Sequence, residues 1–204
     1  HLLSLWVTLP YELHTVNKPV RKLEDIRGMK FATNAGAAAA LTGLGAVPVV
    51  VANPQIYQTV EKGVTDGSAL AWGAYNTWKL EEVTKYHTNA HLGGICHWTA
   101  INKQTWNSLP ADIQKIITEV TDEMMPDALA SAVTGEMEVG IKKSLELGHE
   151  IFELPPEEIA RWRATAEPEW EKWAADMEGR GLPGRAILDE ARRLVEHYSK
   201  IYIK

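Results

Sequence analysis

The chain contains one cysteine, Cys96, so it cannot form an internal disulfide, and cysteine usage does not reveal its compartment. It contains no run of about 18 apolar residues, so no segment reads as a membrane-spanning helix. The longest apolar stretch, residues 46–52, is broken by Pro48 and has the length of a strand. Cations are also in the minority. Lys and Arg number 21 against 27 Asp and Glu, a formal net charge of −6. Nucleic acid is therefore a poor partner, because phosphate binding needs clustered Lys and Arg. Catalytic spacings are missing too: there is no Cys-x-x-Cys, His-Glu-x-x-His, Gly-x-Ser-x-Gly elbow or Walker-type loop. No internal repeat and no low-complexity linker divides the chain. The start, His1-Leu2-Leu3-Ser4-Leu5-Trp6, has no Met and no basic leader region, and reads like a strand entered from the middle of a protein.

What is present is an ordinary globular composition, 45% hydrophobic over 204 residues, enough for one good core or two modest lobes. Residues 2–9 form an apolar strand ended by Pro10, and residues 11–19 read as a loop. Residues 22–28 predict a short helical turn and 30–34 a strand. Helix 37–43, rich in Ala, leads to strand 47–52, which makes a βαβ crossover and hence a parallel pair. Asn53-Pro54 opens a helix to about residue 62, followed by a short strand over 64–69 and an amphipathic helix over 74–86. Weak alternation over 91–102 predicts a long strand. The second half is helical. Ile113, Ile116, Ile117, Val120 and Met124 follow helical spacing, with Pro126 as a kink. Residues 149–154 predict an edge strand, and two further helices follow, the first interrupted or restarted at Pro168.

Two stretches carry the most information. The first is Leu23-Glu24-Asp25-Ile26-Arg27-Gly28-Met29-Lys30-Phe31-Ala32. The second is Gln55-Ile56-Tyr57-Gln58-Thr59-Val60-Glu61-Lys62-Gly63-Val64-Thr65-Asp66-Gly67. The pair resembles the solute-binding proteins of TRAP (tripartite ATP-independent periplasmic) transporters, the DctP-like family, in which the two read roughly "L-x-D-L-K-G-L-K-I-R" and "E-V-Y-x-A-L-Q-x-G-V-V-D-G". The resemblance covers nearly the whole chain. It implies an α/β, periplasmic binding protein-like lobe followed by long C-terminal helices. It implies a periplasmic capture protein that holds a small organic solute, by default an organic acid, between two hinged lobes and passes it to integral membrane subunits. It implies no bond chemistry and no cofactor. Because the family's first lobe and signal peptide precede the matching segment, the chain is expected to lack them. The expected organisation is a hinge strand and loop over 1–20, the second α/β lobe over 21–105, and a helical region over 106–204 packing across the lobes.

The resemblance also nominates site residues, and here the chain departs from the pattern. Family members usually place an arginine, whose fork grips the solute carboxylate, where Ala32 stands. Many relatives have Asn where Leu70 stands. Trp72 matches a Trp in a Pro-Trp-Glu-like branch, as a cleft wall or as core. Some members carry a second arginine near Glu12. Without these arginines, Tyr11, Glu12 and Trp72 would suit a neutral or cationic solute. Asn34 at a strand end, Asn53 as N-cap or solute contact, Tyr75, and Trp98 on the lobe-crossing strand complete the candidate set. Cys96 is expected to be buried and inert. Two other readings compete: a metal-dependent hydrolase using His87, His91 and His97, and an interaction domain that binds no solute.

Overall fold

A computed structural model describes residues 1–202, the side chains of 201 and 202 excepted. Its central feature is a six-stranded mixed sheet. The strands are β2 (Glu12–Thr15), β3 (Lys30–Thr33), β4 (Val47–Val50), β5 (Gly67–Leu70), β6 (Tyr86–Asn89) and β8 (Glu150–Glu153), in the order β4-β3-β5-β2-β6-β8. β3 runs parallel to β4 and β5, β2 is antiparallel to β5 and β6, and β6 is parallel to β8. Two further strands, β1 (Leu2–Val7) and β7 (Cys96–Ala100), form a separate antiparallel pair.

The first motif builds the turn into β3. Leu23 and Ile26 of α1 (Leu23–Ile26) are buried. The second motif is α3 (Asn53–Glu61), which buries Ile56 and Val60, and the return into β5. Asp66 ties the two together. Its carboxylate accepts from the Lys30 N–H at 2.8 Å, and its own N–H donates to the Lys30 carbonyl at 2.8 Å. Gly67 follows because β5 crosses β2 closely. A Cβ there would sit 2.2 Å from the His14 carbonyl oxygen.

The crossover β3–α2–β4, with α2 (Ala35–Gly43), steps to one side of β3. The next crossover, through α3, steps back over to β5 on the other side. With both connections right-handed, the reversal puts α2 and α3 on opposite faces and leaves a crevice at the carboxyl ends of β3 and β5. β2, antiparallel to its neighbours, brings its amino-terminal end to that same edge.

Residues 11–19 were expected to be a loop, yet β2 lies at the centre of the sheet with all four residues buried. Its Glu12 and His14 disguise it, because a strand buried on both faces is ordinarily an apolar run. The helix expected over 74–86 is shorter. α4 spans Trp72–Thr77, one 3₁₀ turn follows over Leu80–Glu82, and the polar strand β6 occupies the remainder. The long strand expected over 91–102 is confined to Cys96–Ala100, because His91 and Gly93 take positive φ and turn the chain.

The register places Ala32, Val49, Ser68, His14, His87 and Ile151 on one face of the sheet. α4 lies on that face, its Tyr75 ring stacked 4.4 Å from His14. α7 (Met125–Glu146) packs over α4 at Gly140, where a Cβ would stand 3.1 Å from the Trp72 carbonyl oxygen. Upstream are α5 (Lys103–Ser108), α6 (Ala111–Glu119) and a π-helical turn over Val120–Met124. The expected irregularity at Pro126 is this turn. Proline lacks an N–H, and its ring collides with the carbonyl four residues back, so the helix widens there.

The described residues fall into two compact units, which divide after Pro155. The boundary expected at residue 105 lies inside the first. The second contains α8 (Pro156–Gly179), continuous through Pro168, and α9 (Gly184–Tyr202). Arg192 joins the two helices by pairing with Glu167 and Glu171, each at 2.9 Å. No helix among the described residues is long and apolar enough to cross a membrane.

Candidate functional site

Two polar clusters form at the carboxyl edge of β3 and β5. The first is made of Tyr11, Asn34 and Asn53. The Asn34 side chain caps α2, accepting from the Gly36 N–H at 2.9 Å. Its amide donates to the Tyr11 hydroxyl at 2.8 Å and to Asn53 Oδ1 at 3.1 Å. Burial raises the Tyr11 pKa above that of an ordinary phenol. Asn53 is not a cap, since it lies within α3 and Ala52 holds the cap position. Its side chain is spent on Asn34.

The second cluster lines a cavity of about 90 Å³, walled by Glu12, Trp72, Asn89 and His91 and closed by Met137 and Ile141 of α7. Trp72 is buried, and its indole N–H donates to Asn89 Oδ1 at 3.0 Å. The Asn89 amide in turn donates to the Glu153 carboxylate. Glu12 is buried as well, and its two oxygens are fully engaged. One accepts from the N–H groups of Ala90 at 2.5 Å and His91 at 2.8 Å, and the other pairs with His91 Nδ1 at 3.0 Å. The hydrogen bond that the His91 ring donates to Glu12 raises the His91 pKa above the ordinary imidazole value. Glu12 therefore meets the cavity with both oxygens hydrogen-bonded rather than as a bare carboxylate.

The other candidates divide. Ala32 shares a sheet face with the residues under Trp72, but it is fully buried within β3 and is not among the residues lining this cavity. Leu70 is likewise buried, and only its carbonyl is used, by His14 at 3.1 Å. Tyr75 is core. Burial pushes its hydroxyl up to about 12, and it meets Ser144 at 3.3 Å. Trp98 is 70% exposed on the β1–β7 pair, away from both clusters. Cys96, expected to be buried, is exposed, because successive residues of β7 alternate between covered and open positions.

The three histidines proposed for metal go separate ways. His91 joins Glu12, His97 stacks on Trp6 at 4.3 Å, and His87 enters a buried line with His14 and His149. No cluster able to hold a metal ion exists among the described residues. In that buried line the Leu70 carbonyl can only accept. His14 Nε2 is therefore protonated, His14 Nδ1 accepts from His87 Nδ1–H at 3.0 Å, and His87 Nε2 accepts from His149 Nδ1–H at 3.1 Å. Burial lowers His14 to about 3 and His87 to about 2, so both stay neutral.

A larger cavity, about 270 Å³, lies between β1 and the start of α7. Ser4 and the Trp6 indole are the polar side-chain groups on its wall, so it lacks convergent chemistry. Sequence reasoning missed Asn89 and the role of His91. Their signal is tertiary, since Glu12 is 78 and 79 residues away from the two N–H groups it binds.

The profile of the DctP family, described as bacterial extracellular solute-binding protein family 7, matches residues 1–176. The chain belongs to this family. It is 30% identical over 165 residues to the C4-dicarboxylate-binding periplasmic protein DctP of Rhodobacter capsulatus, a match covering 78% of this chain and 48% of that protein. The fold is similar to a TRAP solute-binding protein of Rhodoferax ferrireducens T118 solved with copurified benzoate. The TM-score is 0.87 at 28% identity, over 98% of this chain and 64% of that one. It is also similar to a marine metagenome TRAP solute-binding protein specific for aromatic acid ligands, solved with 3-hydroxybenzoate. There the TM-score is 0.85 at 27% identity, over 97% and 63% of the two chains. The family membership agrees with the resemblance read in the two motifs and with the α/β fold, and it does not favour the metal hydrolase. The chain spans about half the length of the DctP relative and under two thirds of these two structures.

Proposed function

We propose that this DctP-family chain forms one wall of a periplasmic capture site for a small aromatic carboxylic acid, which it passes unaltered to the integral membrane subunits of a TRAP transporter. The observation that carries this reading is the cavity at the crevice of the sheet, with an indole in its wall and apolar Met137 and Ile141 beside it. No lysine or arginine lines it, so a dicarboxylate would meet too little positive charge, whereas an aromatic ring meets a matching surface. Asn34, Asn53 and Tyr11 at the same edge supply neutral polar groups. The aromatic acids held by the two similar structures support the choice within the organic acids.

A thermal-shift comparison of benzoate, 3-hydroxybenzoate and succinate tests it. Ligand at a hundred times its Kd stabilises the folded state by about 2.7 kcal/mol, a rise of about 5 to 10 °C for a chain of this size. The aromatic acids are expected to give that rise and succinate none. A shift with succinate alone would overturn the aromatic assignment.

A further inference from the structure

We infer that His91 is the group that receives the solute carboxylate on this wall, a task the family pattern gives to an arginine from β3. The inference rests on the proposed function and adds the residue that reads the charge. His91 is a non-glycine residue in the left-handed region, at φ 49°. Histidine is among the few non-glycine residues that enter this region, usually where local hydrogen bonds hold it. Here the holder is Glu12, whose buried carboxylate takes the His91 backbone N–H and its ring Nδ1 together. One side chain thus fixes both the backbone and the ring orientation. With Nδ1 engaged, Nε2 is the ring nitrogen left to meet a ligand, and it has no hydrogen-bond partner among the described residues. The ring is half-exposed and lines the cavity that also contains Trp72.

The surrounding charge fits the role. Glu12 from β2 and Glu153 from β8 face the imidazole, and both favour its protonated form. α7 contributes only Met137 and Ile141 to this cavity. When the ring is protonated it offers an N–H donor backed by a buried carboxylate on one side of the cavity, with apolar surface on the other. That polarity matches a molecule with a carboxylate at one end and a ring at the other.

The test is calorimetric titration of benzoate into the intact protein between about pH 5.5 and about pH 8.5, comparing wild type with His91→Asn and Glu12→Gln. Asn tolerates the left-handed backbone, so the variant removes the charge while sparing the turn. The wild type should bind more weakly as pH rises through the His91 pKa, by at most about tenfold per pH unit. His91→Asn should bind about tenfold to a hundredfold more weakly at the acid end, the worth of one charged hydrogen bond, and should show a flat profile. Glu12→Gln removes the carboxylate that holds the ring, so it should weaken binding across the range and shift the decline to lower pH. An imidazole NMR titration provides a readout that needs no variant, since bound benzoate should raise the His91 pKa. Unchanged affinity and an unchanged pH profile in His91→Asn would overturn the inference while leaving aromatic capture standing. A wild type that binds no benzoate at any pH would overturn both.

Discussion

Mild acid should loosen this fold through two buried imidazoles, His14 and His87, which are 0% and 1% exposed. Burial lowers them to about 3 and about 2, while an unfolded chain leaves them near the ordinary value of about 6.5. Below that value the unfolded state binds protons that the folded state refuses, so stability falls as pH falls. From about pH 7.5 to about pH 5.5, each histidine costs about 1.4 kcal/mol, or about 2.7 kcal/mol for the pair. Set against a total stability of about 5–15 kcal/mol, this is a large fraction. His91 acts in the opposite sense. Its raised pKa contributes stability that is present at low pH and lost as pH rises through the folded value. The experiment is therefore done in a His91→Asn background. Urea unfolding at several pH values should show a slope approaching two protons taken up on unfolding. His14→Gln combined with His87→Gln should flatten the curve. If the slope between these pH values is near zero in the parent, or survives both substitutions, the buried neutral chain of imidazoles is wrong.

The remaining expectations concern the edge of the sheet and the small β1–β7 pair. Asn34→Ala removes the α2 cap and strands the groups of Tyr11 and Asn53, so it should cost about 1 to 3 kcal/mol in urea titration. A loss under about 0.5 kcal/mol would show that the cluster is not holding the edge together. Trp98→Ser changes a side chain that is 70% exposed, so stability should move by less than about 0.5 kcal/mol. Leu2, Leu5, Val7 and Trp98 are all exposed on that pair, so sedimentation should show less self-association in the variant. A destabilisation of several kcal/mol would instead place Trp98 in a core.

Some of the site could be read directly from local chemistry. Asn34 sits between a strand and an Ala-rich helix, where an Asn side chain caps, and the two motifs mark turns with hydrophobic anchors that turned out buried. Other assignments failed because one residue type serves two purposes. Asn53 before a proline reads as a cap, but the helix begins one residue earlier and frees it to bond Asn34. Tyr75 and Leu70 looked like site residues by position along the chain, and packing beneath α7 turned them into core. Glu12 looked like a bare anion because its partners are drawn from a turn nearly eighty residues on.

The sequence by itself determined the family, through its two motifs, and the βαβ order. The motifs are short runs of neighbouring residues, and the order depends on turn residues and strand-to-helix spacing, all of which are local. Only the tertiary structure decided that Glu12 and His14 belong to a central strand, that His14 and His87 meet in the core with half-buried His149 beside them, and that His91 stands over the cavity. Each of these depends on pairing across strands and on desolvation, which no short window of residues records.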